Sequence, residues 1–219
     1  MIGLTRPAVF VELCAGLAAV SLRLQGGRYC RPPVSRMGNK AGYSRAILAV
    51  LGLRAGQGAD RYVWCEPDDG CRALLDAYTR PDVLREAATI IRGWADEAPR
   101  ALWERLRAAG PVEYAPAEVA RWCFVHARTH RIGDEYAPER DIRPGRHGFQ
   151  GQGPDRVALA LRLDNAASMA ATVEPNAHNV APIPGAVVYI DPPYQGTTGY
   201  GTDLPRVDVL DLARRWDFA

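Results

Sequence analysis

Short apolar runs alternate with longer amphipathic stretches along the 219 residues of this chain. Residues 8–13 (AVFVEL) predict a first strand, followed by a turn of small residues at 14–19 and a helix opening over 20–24. Residues 25–36 hold Gly26, Gly27, Pro32 and Pro33 and predict a loop. A helix is expected over 44–53, broken by the glycines of 56–60. Residues 61–65 (RYVWC) predict a second strand that ends at Glu66. Helical periodicity then runs through 69–78, through 82–107 with a break near Pro99, and through 117–130. An alanine-rich helix over 157–170 precedes a short strand at 171–174. Val187, Val188, Tyr189 and Ile190 are apolar on both faces, the pattern of a buried strand in a parallel sheet. A last helix is expected over 204–216, with Pro205 in its first turn.

Strands that alternate with helices predict an α/β fold, a doubly wound, mainly parallel sheet of Rossmann-like type. Residues 131–154 interrupt the alternation. They are rich in Gly, Pro, Arg and His and keep no period, so they read as an irregular insertion, either functional or a merely solvated surface loop. The expected organisation is one domain made of 1–116 and 155–219, with 117–154 inserted into it.

Composition changes this picture little. Hydrophobic residues at 47% and charged residues at 24% suit a globular protein, and a net charge of +2 does not by itself argue for nucleic acid. Arginine supplies almost all the positive charge; Lys40 is the single lysine. Five cysteines, with no C-x-x-C pair, argue against a disulfide framework and against a zinc site. No apolar run reaches the ~18 residues of a membrane span, and no leader pattern opens the chain, so a cytoplasmic protein without a membrane partner is expected.

Three stretches carry candidate chemistry. In FVELCAGLAAVSL (residues 10–22) a strand, an acid and a small-residue turn lead into a helix. That arrangement lets a nucleotide-like ligand approach backbone N–H groups, although an ordinary alanine-packed βα turn has the same look. Glu66, at the end of the second strand, is placed to accept hydrogen bonds from ribose hydroxyls, or else to favour the dipole of the following helix. Asp191-Pro192-Pro193-Tyr194 ends the 187–190 strand: an acid, a rigid turn that cannot continue the ladder, and an aromatic ring. Ligands of open α/β sheets sit beyond such strand ends.

These motifs together resemble the amino-group DNA methyltransferases that use S-adenosylmethionine, a family with a D/N/S-P-P-Y/F/W motif. The resemblance spans most of residues 8–200. The turn around Gly16 resembles the cofactor motif, with Ala18 where a second glycine is usual. Residues 37–48 (MGNKAGYSRAIL) resemble the family's glycine-lysine segment, although here it follows the cofactor motif. The resemblance implies Phe10, Glu12, Leu13, Cys14, Ala15, Gly16, Gly38, Lys40, Glu66, Asn176 and Asp191 around the cofactor, with Asn179 as an alternative to Asn176. It implies Asp191, Pro192, Pro193 and Tyr194 as catalytic residues acting on the N6 amine of adenine in DNA. No Pro-Cys turn supplies the nucleophile of the cytosine-C5 enzymes.

The insertion stands where many such enzymes place target recognition. Its arginines interleave with aromatics, so Arg128, Arg131, Arg143 and Arg146 are the expected DNA contacts; acids at 134, 135, 139 and 141 dilute that charge. The alternatives are cytosine-N4 methylation, methylation of RNA or of a protein amide, and an inactive homologue that binds nucleic acid or serves assembly. Only 25 residues follow Tyr194, whereas the family's sheet runs through three more strands. The sheet is therefore expected to end near the 187–190 strand, through a shortened chain, a partner chain or a homodimer that completes it.

Overall fold

A computed structural model describes residues 5–27, 30–34, 40–127, 129–130, 148–149, 155–166, 168–192 and 205–217. Four strands, β1 (Val9–Leu13), β2 (Arg61–Cys65), β5 (Ala171–Glu174) and β6 (Val187–Ile190), form one sheet in the order β5-β2-β1-β6. Every pairing in it is parallel. The chain starts in the middle, steps outward through β2 to β5, then returns to the other side of β1. Between β1 and β6 the direction of winding reverses. Open α/β sheets form a crevice at such a point, outside the carboxyl ends of the strands.

The helices among the described residues are α1 (Ala19–Gly26), α2 (Ser44–Val50), α3 (Asp69–Tyr78), α4 (Pro81–Gly93), α5 (Pro99–Ala109), α6 (Ala115–Ala127), α7 (Arg156–Asp164) and α8 (Arg206–Asp217). The long helical pattern after residue 82 divides because Pro99 opens a new first turn, where its missing N–H costs nothing. Asp68 starts α3 by accepting the Cys71 N–H at 2.8 Å, and Asp155 starts α7 by accepting the Ala158 N–H at 2.6 Å. Two predicted helices stop early. The 44–53 helix ends at Val50, two residues before Gly52 at φ 70°, and the 157–170 helix ends at Asp164. The 117–130 pattern also stops at Ala127. Thr129–His130 (β3) pairs antiparallel with Gly148–Phe149 (β4), so the insertion stands on a short two-stranded stem instead of an irregular base.

Two apolar clusters cover the two faces of the sheet. On one face Phe10, Tyr62 and Trp64 pack with residues of α1, α3, α4, α6 and α7. On the other, Val11, Leu13, Val63 and Cys65 pack with Leu212 and Trp216 of α8. The two central strands, β1 and β2, are almost wholly buried. The 187–190 strand is only half-buried along its length, against the sequence expectation of full burial. Its place at the end of the strand order is the reason: one side of β6 has no neighbour in the sheet among the described residues. No helix among the described residues is long and apolar enough to cross a membrane.

Candidate functional site

The carboxyl ends of β1, β2 and β6 meet on one edge, joined by backbone bonds that prolong the ladder. The Ala15 N–H donates to Cys65 O at 2.8 Å, the Glu66 N–H to Glu174 O at 2.9 Å, and the Asp191 N–H to Leu13 O at 3.2 Å. The turn after β1 is bent by three left-handed residues, Cys14 at φ 59°, Gly16 at φ 55° and Ala18 at φ 50°. Left-handed backbone costs an L-residue roughly 1–2 kcal/mol. Only Gly16 escapes that cost, and a Cβ added there would meet nothing within 4 Å. Gly16 thus leaves open room at the turn as well as the freedom to make it.

Glu66 braces this turn from the neighbouring strand. Its Oε2 accepts the Gly16 N–H at 2.7 Å, and its Oε1 accepts the Asp68 N–H at 3.0 Å.

Asp191, just past β6, faces Lys40, which begins a short 3-10 turn (Lys40–Gly42) ahead of α2. Lys40 Nζ lies 2.7 Å from Asp191 Oδ2, with side-chain exposures of 16% and 18%. Burial raises the Asp191 carboxyl above its ordinary range, and the Lys40 ammonium opposes that rise. The Cys14 thiol in the same crevice is pushed up to about 12, first by burial and then by the charges of Glu66 and Asp191. A thiol so placed stays protonated near neutral pH, so it supplies no thiolate nucleophile.

The structure brings Cys14, Ala15, Gly16, Lys40, Glu66 and Asp191 to this one edge. It turns Phe10, Glu12 and Leu13 into the core instead. Phe10 and Leu13 are wholly buried in the two apolar clusters. Glu12 turns away from the edge into the core, where its Oε2 accepts both the Ser21 N–H at 3.0 Å and the Ser21 hydroxyl at 2.6 Å. Trp64 Nε1 donates to the same hydroxyl at 2.9 Å. Glu12 therefore caps the first turn of α1 and is pushed up to about 7 by burial. Asn176 is exposed and caps its own 3-10 turn (Ala177–Asn179) by accepting the His178 N–H at 2.9 Å. Asn179 sits at the end of that same turn.

Gly38, Pro193, Tyr194, Arg128, Arg131, Arg143 and Arg146 lie outside the described residues. The sequence reading passed over Glu174, the last residue of β5, whose carbonyl receives the Glu66 N–H. Its signal was its place as an acid at a strand end, like Glu66 and Asp191.

The crevice carries two carboxylates, Glu66 and Asp191, with Lys40 paired to Asp191 and Arg72 donating to the Glu66 carbonyl at 3.0 Å. Open space at Gly16 leaves room for a ligand beside these groups. The chain matches no protein-family model, and no curated protein matches it significantly.

Proposed function

We propose that this chain is an S-adenosylmethionine-dependent DNA methyltransferase acting on the exocyclic N6 amine of adenine. The observation that carries the reading is the convergence of Asp191, Glu66 and the Gly16 turn at the point where the sheet reverses its winding.

Glu66 and the Gly16 turn would hold the nucleoside part of the cofactor, which when bound supplies an electrophilic methyl group on a sulfonium. An adenine amine is a poor nucleophile because its lone pair is delocalised into the ring. Asp191 Oδ1, on the carboxylate whose Oδ2 meets Lys40, accepts a hydrogen bond from one amine N–H. The Pro192 carbonyl, next acceptor along the chain, takes the other. Two acceptors so placed draw the nitrogen toward tetrahedral geometry and free its lone pair. The base reaches this crevice only after it leaves the stack. Lys40 keeps Asp191 in its accepting, ionised form against the burial that favours protonation.

Cytosine-N4 transfer would use the same two acceptors. The test is to incubate the protein with methyl-labelled S-adenosylmethionine and mixed-sequence duplex DNA, then digest the DNA to nucleosides. The reading predicts label in N6-methyladenine. Label in N4-methylcytosine moves the substrate to the second base, and label in neither overturns the reading.

A further inference from the structure

Charge is spread unevenly along this chain. The 47 residues from Leu13 to Ala59 contain six arginines and Lys40 but no Asp or Glu. Ordinary composition would place about six acids in a stretch of that length. The other 172 residues carry 20 basic against 25 acidic residues, so the small net charge hides a strongly basic block.

The block is also next to the crevice. It supplies the turn at 14–18, then α1, then the 3-10 turn whose Lys40 reaches Asp191, then α2. The α1 and α2 segments are tied by the Arg23 Nε–H, which donates to Ser44 Oγ at 3.3 Å. Tyr43, three residues from Lys40, is 69% exposed, and Arg45 and Arg54 are exposed on and just beyond α2. Among the described residues neither arginine has an ion pair. Several arginines elsewhere do, Arg72 with Asp69, Arg92 with Asp164, Arg105 with Glu97 and Arg214 with Asp211, whereas Arg61, Arg80 and Arg85 have none among the described residues. In the inserted region, Arg121 is held by Glu118 at 2.6 Å.

Two exposed arginines without an ion pair, beside an exposed aromatic ring in an acid-free stretch, suit a polyphosphate partner. We propose that Arg45 and Arg54, with Tyr43 beside them, hold the phosphate backbone of duplex DNA against the Lys40–Asp191 crevice. The choice of DNA rests on the methyltransferase reading. In this arrangement the α2 surface positions the duplex, and base identity is read elsewhere.

The experiment measures binding of a mixed-sequence DNA duplex by fluorescence anisotropy between 50 and 200 mM salt, without cofactor. It compares the wild type, Arg45→Gln/Arg54→Gln, Arg45→Lys/Arg54→Lys and Arg143→Gln/Arg146→Gln. Each phosphate contact contributes about 0.9 to the slope of log K against log salt. The Gln pair is expected to lower that slope by about 2 and to weaken binding at least about tenfold at 100 mM salt. The Lys pair keeps the slope near wild type. Circular dichroism checks that the exposed substitutions leave the fold intact.

An unchanged slope in the Gln pair overturns the proposal, as does a loss confined to the Arg143/Arg146 variant. Binding of the wild type to phosphatidylserine vesicles but not to duplex overturns it too, in favour of a membrane surface. Failure of the methyltransferase reading is seen separately: DNA binding that depends on Arg45 and Arg54, without any methyl transfer, leaves the surface standing and removes the enzyme.

Discussion

Lys40 and Asp191 meet across the carboxyl edge of the sheet, Nζ to Oδ2 at 2.7 Å, although one precedes α2 and the other follows β6. The pair sets the charge of the acid on which the proposed chemistry depends. Burial pushes the Asp191 carboxyl upward, and the ammonium pulls it back.

Lys40→Met removes the opposing influence. Activity needs ionised Asp191, so it falls as pH drops through the carboxyl's pKa. Loss of Lys40 raises that pKa further and moves the acid limb of the rate profile upward. Lys40→Arg keeps the charge and holds the limb near wild type. Initial rates of methyl transfer between pH 5 and 9 check this; a limb that stays in place with Met would separate Lys40 from Asp191 ionisation.

Gly16→Ala separates a structural from a ligand-binding role. The left-handed backbone makes alanine cost about 1 kcal/mol of stability, as Cys14 and Ala18 already show is tolerable in this turn. The added Cβ meets no protein atom within 4 Å, so it projects into the open space at the crevice. Cofactor affinity measured by calorimetry is expected to fall at least tenfold while the fold survives. Affinity equal to wild type would place the cofactor elsewhere.

Much of this arrangement was legible in the residues. Strong apolar runs in AVFVEL, RYVWC and VVYI gave their strands, and the acids that follow RYVWC and VVYI reached one edge, because parallel strands share their carboxyl ends. What the pattern did not carry was lateral position. Apolar residues on both faces of 187–190 look the same in a central strand and in an edge strand, so the half-burial of β6 follows only from the strand order. Nor did it carry side-chain direction. Glu12 looked like a ligand-facing acid beside a glycine turn, but alternation along β1 points it to the face where Ser21 and Trp64 wait. The acid-free block from 13 to 59 is plain in the sequence, yet its meaning depends on Lys40 reaching Asp191.

Glu12 gives the chain a stability slope of its own. Its folded pKa, pushed up to about 7, exceeds the ordinary carboxylate value. The folded state therefore binds a proton that the unfolded state has released, and stability falls as pH rises from the unfolded value to about 7. The shift corresponds to about 3 kcal/mol across that window. Glu12→Gln keeps an acceptor for Ser21 without the charge. It is expected to flatten this part of the stability profile and to be more stable than wild type at pH 8, as read by urea unfolding. A profile with the wild-type slope would show that Glu12 titrates alike in both states.

Gly70, in the first turn of α3, lies directly under Trp122 of α6. A Cβ there would stand 2.2 Å from the indole nitrogen, so the ring must move. Gly70→Ala is expected to cost about 1–3 kcal/mol by overpacking, a fall in Tm of several degrees. An unchanged Tm would mean that Trp122 shifts freely.

The central claim is that Asp191 performs transfer at a cofactor site built from the Gly16 turn and Glu66. The most direct measurement pairs calorimetry of S-adenosylmethionine binding with labelled methyl transfer to duplex DNA, for wild type and Asp191→Ala side by side. The account predicts that both proteins bind the cofactor and that only the wild type labels DNA. Equal transfer by Asp191→Ala, or a wild type that binds no cofactor, would contradict it.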